Sequence, residues 1–170
     1  ARLAPRLRGL QRRPLRQGFV ASPPGARAGL AAARQAADWQ GRPLAEATLA
    51  AFIAEGHMAR HVRRMQRLYG ERRRLLLGAL ERHCATWLAP LPALAGLHLA
   101  ARLTPALPAG RVVEAAARAG LGLEDLARYA LLPPAPNGLA FGFGSVAAEA
   151  IEPGIARLAA LLGELCRGPV

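Results

Sequence analysis

"HMARHVRRMQRLYGERRRLLL", residues 57–77, decides how the chain is read, because it packs seven arginines into about five helical turns. Such a run meets nucleic acid, a cofactor phosphate, or only water. Starting at Met58, the apolar residues Met58, Val62, Met65, Tyr69, Leu76 and Leu80 recur at mostly three- and four-residue steps. That spacing draws one stripe down a long helix reaching about Arg82. The arginines fall mostly off the stripe, so a solvated face opposite a buried one accounts for most of them.

Outward from this helix, the order of elements suggests an α+β layer. Toward the N-terminus, "QGFVASPP" (17–24) reads as a short strand stopped by two prolines, and residues 26–40 as an alanine-rich helix ending near Gly41. A second helix opens at Pro43, which suits a first helical position, and Gly56 punctuates the chain before the arginine run. Toward the C-terminus comes a Pro-rich turn around Pro90 and Pro92, then "GLHLAARL" (96–103), which alternates like a strand. Residues 108–121 read as a helix closed by Gly120 or Gly122. "LEDLARYALL" (123–132) is ambiguous between helix and strand. "PPAPNG" is a turn, "LAFGFGSV" (139–146) a strand, and residues 148–166 a terminal amphipathic helix. Helices over a small sheet are the expected architecture.

Composition narrows the chemistry. The 170 residues match one ordinary domain, and a hydrophobic content of 52% with few aromatics suits a core of Leu, Ala and Val. The net charge is +12, yet there is no lysine, so all 23 basic residues other than histidine are arginine. A GC-rich coding bias explains that excess as readily as selection for phosphate binding. Cys84 and Cys166 lie far apart, without zinc-ligand spacing, and read as buried free thiols in a reducing cytosol. No apolar run approaches the roughly 20 residues needed to cross a bilayer. No apolar core follows the basic start "ARLAPRLRGLQRRPLRQG", so no secretory signal is indicated and a cytoplasmic location is expected. The first residue is not methionine, so either an initiator was removed or the chain is part of something longer.

Two local patterns invite functional readings. "GFGSVA" (142–147) matches a dinucleotide-binding fingerprint, but that motif needs a following strand and an acidic residue about 20 positions on, and only a helix follows. Gly142 and Gly144 are better read as ending a strand packed closely on its neighbours. His57 and His61 share a helix face at metal-ligand spacing, yet they lack the glutamate of H-E-x-x-H and an evident third ligand, so no metal site is assigned.

Taken together, "FIAEGHMARHVRRMQRLYGERRRLLLGAL", "GLHLAARL" and "LAFGFGSVAAEAIEPGIARLAALL", in this order and at these distances, resemble the C-terminal part of MocR-type regulators of the GntR family. The resemblance covers about residues 17–165. It implies an α+β fold: the small C-terminal domain of a fold-type I aminotransferase-like protein, with a long helix leading to a small, mainly antiparallel sheet covered by helices. It divides the chain into a basic arm and the last strand of a truncated large domain (1–24), connecting helices (25–82) and the small domain (83–170). The arginines of the long helix then form a helix surface and a dimer or interdomain surface.

The same resemblance implies pyridoxal 5′-phosphate as cofactor in the intact family, a homodimer, an amino-acid or pyridoxal phosphate effector, and DNA contact only through an N-terminal winged helix that this chain lacks. A membrane is not implied as a partner. The cofactor is held by a lysine, because only an amine forms the imine that exchanges with a substrate amine. Alignment on "LAPRLR" puts Ala1 at the lysine position, and alignment on "RPLRQGF" puts Gly9 there. Neither can form an imine. The arginine facing the cofactor phosphate becomes Arg8 or Arg16, with Arg16 favoured because it directly precedes the strand, and a guanidinium fork suits a phosphate. Arg128, in the segment entering the last strand, matches the position that meets a substrate carboxylate. The implied chain neither transaminates nor reads an operator alone. Two other classes share these features: a fragment of a class I/II aminotransferase, and a stand-alone arginine-rich nucleic-acid binder using residues 57–77.

Overall fold

The computed structural model describes residues 21–38, 42–93, 96–103 and 107–167. The chain divides into two compact units, one within residues 7–64 and the other carrying Met65–Val170.

In the first unit, a 3-10 turn at Pro24–Ala26 leads into α1 (Arg27–Ala37), and α2 (Pro43–Ala54) begins with its proline in the first turn, where no backbone donor is lost. Arg34 reaches Glu46 at 2.5 Å. Gly56, at φ 75°, makes the left-handed turn from which α3 (His57–Cys84) starts. No residue of α1 or α2 is buried. Apart from Glu46 and Thr48, α2 is apolar, and Leu44, Phe52 and Ile53 are exposed.

The second unit holds the core. α3 contributes Leu76, Ala79, Leu80 and Cys84 to it. Burial along the expected stripe begins only there: Tyr69 packs on the core from outside, Met58 and Met65 are half-buried, and Val62 is exposed. Periodicity reports which face of a helix is apolar, but not how much of its length has neighbours to bury it.

Three-residue β1 (Leu88–Pro90) pairs with β2 (His98–Leu103), and β2 with β4 (Gly138–Gly142), all antiparallel. β3 (Glu124–Asp125) lies on the far side of β4, giving the order β1-β2-β4-β3. Pro90 thus stands in a strand rather than in the expected turn, opposite Ala101. β1 is an edge, where a proline without an N–H is tolerated. The ambiguous 123–132 segment resolves into β3 followed by a 3-10 turn, Leu126–Tyr129, whose Ala127 N–H donates to Asp125 Oδ1 at 2.8 Å. The strand expected at 17–24 lies outside the described residues up to Val20, and 21–23 are irregular.

α4 (Ala109–Arg118) turns Val112, Ala115 and Ala116 inward, and α5 (Ile151–Arg167) turns Ile151, Ile155, Leu158 and Leu162 inward. Gly120, at φ 74°, closes α4, with Leu121 N–H donating back to the Ala116 carbonyl at 2.8 Å. Asn137 ties two elements together: its Oδ1 accepts from Ala109 N–H at 2.8 Å and its Nδ2 donates to the Leu107 carbonyl at 2.9 Å. The expected α+β class, with a long helix ahead of a small antiparallel sheet and helices over it, is the one observed. No described helix is long and apolar enough to cross a membrane.

Candidate functional site

Among the described residues of the second unit, two hollows stand out. One, about 40 Å³, lies among Leu76, Leu121, Phe141, Ile155 and other apolar side chains and presents no charged group. The other is a cleft of about 540 Å³ lined by Leu97, His98, Leu123, Glu124, Arg128 and Ser145, with glycines 122, 142 and 144 in its walls. Only the second combines charge, hydroxyl and imidazole with apolar surface, so it is the candidate site.

Arg128 reaches this cleft from the 3-10 turn after β3. It is exposed, and it makes no hydrogen bond or ion pair among the described residues. Next to it, the Tyr129 hydroxyl donates to the Glu124 carboxylate, and chiefly this bond raises the hydroxyl's pKa above its ordinary value. Glu124 is therefore engaged, while the guanidinium of Arg128 keeps its donors for an incoming carboxylate or phosphate.

Glycines build another part of the wall. A Cβ on Gly142 would lie 3.5 Å from the His98 ring, and one on Gly144 would lie 3.1 Å from Leu97 Cδ1. "GFGSVA" is thus the end of a strand packed on its neighbours, followed by a turn and the short 3-10 stretch Ala148–Ala150 before α5. Phe143 N–H donates to the Leu97 carbonyl at 3.1 Å, and Arg72 Nη1 on α3 donates to the Gly144 carbonyl at 2.6 Å.

The opening arginine run therefore divides. Arg60, Arg63, Arg64, Arg67 and Arg74 are exposed, whereas Arg72 and Arg73 are half-buried and donate to the carbonyls of Gly144 and Ala93, the latter at 2.9 Å. The role of Arg72 was not legible from sequence, because its partner lies 72 residues away and nothing local separates it from six other arginines. His57 is engaged on its own helix end, 3.0 Å from Glu55 and 2.6 Å from Arg60, and stacks on Phe52 at 5.4 Å. Arg8 and Arg16 lie outside the described residues. Cys84 is buried as read, but Cys166 is exposed, on the outer face of α5.

A four-stranded antiparallel sheet backed by the long α3 and by α4 and α5, with a cleft beside the last strand, is the architecture of an aminotransferase small domain. Among solved structures, the multiple substrate aminotransferase from Thermococcus profundus superposes with a TM-score of 0.75 at 20% identity, over 86% of this chain and 36% of that one. α-Aminoadipate aminotransferase from Thermus thermophilus, complexed with N-(5′-phosphopyridoxyl)-L-leucine, gives 0.74 at 22% identity, over 86% and 38%. The Pyrococcus horikoshii kynurenine aminotransferase gives 0.73 at 20% identity, over 84% and 35%. These define the fold as aminotransferase-like.

The sequence is more particular. It is 34% identical over 141 residues to the probable rhizopine catabolism regulatory protein MocR of Rhizobium meliloti, covering 83% of this chain and 29% of that protein. It is 36% identical over 108 residues to the pyridoxine biosynthesis transcriptional regulator PdxR of Corynebacterium glutamicum, covering 62% and 23%. No protein-family profile matches the chain. The chain falls with the MocR-type regulators of the GntR family and corresponds to part of their aminotransferase-like domain. It spans less than a third of the length of these regulators.

Proposed function

We propose that the chain forms the small-domain side of an effector-binding cleft in a cytoplasmic MocR-type regulator, with Arg128 receiving the carboxylate of an amino-acid effector. The observation that carries this is a guanidinium with no protein partner among the described residues, on the wall of a cleft of about 540 Å³. In the intact relatives we take the effector to shift a dimer's conformation, and with it the affinity of a separate winged helix for DNA, as a coupling between distinct sites. Residues 83–170 then act as the small domain, and 25–82 as the helices connecting it to the large one.

Pyridoxal phosphate is the cofactor of the fold class, but this chain's side chains do not suit its covalent attachment. There is no lysine, and an arginine cannot supply the imine nitrogen. Arg16 or Arg8 is proposed for the phosphate alone. The amino-acid carboxylate is a different demand, met by Arg128 without any imine. Leu97, Leu123 and Ala140 offer the apolar surface for a side chain.

Calorimetric titration of the chain with L-leucine and with N-(5′-phosphopyridoxyl)-L-leucine tests this reading. Arg128→Gln removes a charged hydrogen bond worth about 1.5–3 kcal/mol, which is roughly a tenfold or greater loss of affinity for both compounds. Undiminished binding by the variant, or no binding by the parent chain, overturns the assignment.

A further inference from the structure

The wall of the cleft made by Gly144 and Ser145 is a turn with few constraints of its own. Phe143 and Val146 anchor it in the core, and Phe143 N–H holds the Leu97 carbonyl. Between those anchors, the Gly144 carbonyl is held by a side chain from another element, Arg72 Nη1 at 2.6 Å. Arg72 Nε is buried in this arrangement and has no partner among the described residues. The guanidinium is one rigid plane, so the geometry that lets Nη1 reach Gly144 also leaves Nε without an acceptor. A buried donor without a partner is normally avoided. Here it is tolerated on a side chain that bridges α3 and the cleft wall, and one helical position on, Arg73 holds the Ala93 carbonyl on the segment between β1 and β2.

We propose that Arg72 is a positioning residue whose hydrogen bond to Gly144 sets the shape of the cleft wall and couples occupancy of the cleft to α3. With the bond made, the turn lies close enough to Leu97 that a Gly144 Cβ would stand 3.1 Å from its Cδ1, so only glycine fits there without the leucine giving way. With it broken, the turn relaxes and the guanidinium is free to satisfy Nε. These are two discrete arrangements, and a ligand touching Gly144 or Ser145 biases the choice between them. The ligand half of this inference rests on the carboxylate reading of the cleft, whereas the Arg72 latch itself does not.

Amide hydrogen exchange on the whole chain separates the two. Without ligand, Arg72→Met speeds exchange at residues 143–147 by about tenfold or more, while residues 99–103 and 139–142 are unchanged, and Arg72→Lys, which restores a charged donor, recovers most of the protection. Equal exchange in parent and Met variant overturns the latch whatever the ligand does. With saturating L-leucine, the parent chain shows altered exchange in residues 72–84 as well as 143–147. The Met variant still binds, with a changed affinity, and loses the response in 72–84. A helix response that survives in the Met variant overturns the coupling, and an absence of leucine binding sinks the cleft reading while leaving the ligand-free comparison to decide the latch. Should the Met variant fail to fold, Arg72→Gln, with a neutral donor, carries the same comparison.

Discussion

Gly138 has no room for a side chain. A Cβ there would lie 2.5 Å from the Ala101 carbonyl oxygen and 2.7 Å from Leu126 Cδ1, one of them backbone that cannot yield. Gly138→Ala therefore overpacks the start of β4, and a urea melt should show a loss of roughly 1–3 kcal/mol. In the sequence this glycine belonged to the turn "PPAPNG"; its place as the first residue of β4 depends on β2 lying alongside, which no local pattern carries. The cysteines give a second test at this scale. Burial pushes the Cys84 thiol up to about 11, whereas Cys166 stands in solvent. A thiol reagent at neutral pH should modify one cysteine per native chain, Cys166, and both in denaturant. The expectation of two buried thiols failed for Cys166 because α5 is amphipathic and residue 166 falls on its outer face.

Between elements, the packing of α3 on α5 is closed by Glu152, which accepts from Arg82 and, at 2.6 Å, from His83 Nε2. The Arg82 hydrogen bond first, and then that of His83, hold the Glu152 carboxyl below the ordinary carboxylate range. A depressed acid contributes stability above its unfolded-state pKa and loses it as pH falls through the folded one. Glu152→Gln should therefore lower the thermal midpoint slightly at pH 7, and the gap from the parent chain should close as pH is lowered through and below the carboxylate range. Periodicity made α3, α4 and α5 readable, because each has its apolar residues on one face. It could not give β1, three residues long with a proline, or β3, two residues long, since neither offers enough alternation to register and both exist only through their partners.

At the scale of the whole molecule, the fold class and the family were legible because three separated stretches kept their order and spacing. The cleft was half legible: Arg128, named in advance, lines it, but His98 and Ser145 are brought there by the antiparallel pairing of β2 with β4, and Arg72 reaches its Gly144 wall from α3. The net charge of +12 has its own consequence. Generic duplex DNA should bind weakly, without sequence preference, and with affinity falling steeply as salt rises. Arg63→Gln with Arg64→Gln should flatten that salt slope, whereas Arg72→Met should leave it unchanged, because Arg63 and Arg64 face solvent and Arg72 is committed to a carbonyl. A sequence-selective complex would instead favour the nucleic-acid binder.

The two ends of the sheet bear on a different hazard. On one flank stands a three-residue strand carrying Pro90, and on the other a two-residue strand that gives way at once to a 3-10 turn. Neither presents a run of free backbone donors and acceptors long enough for a neighbour to zip onto. A chain that leaves Leu44, Phe52 and Ile53 of α2 in water would be a candidate for fibril growth if its strands were open. Among the described residues the β-sheet is self-limiting, so clumping should proceed through the exposed apolar surface of α2, remaining amorphous and reversible in place of templated and permanent.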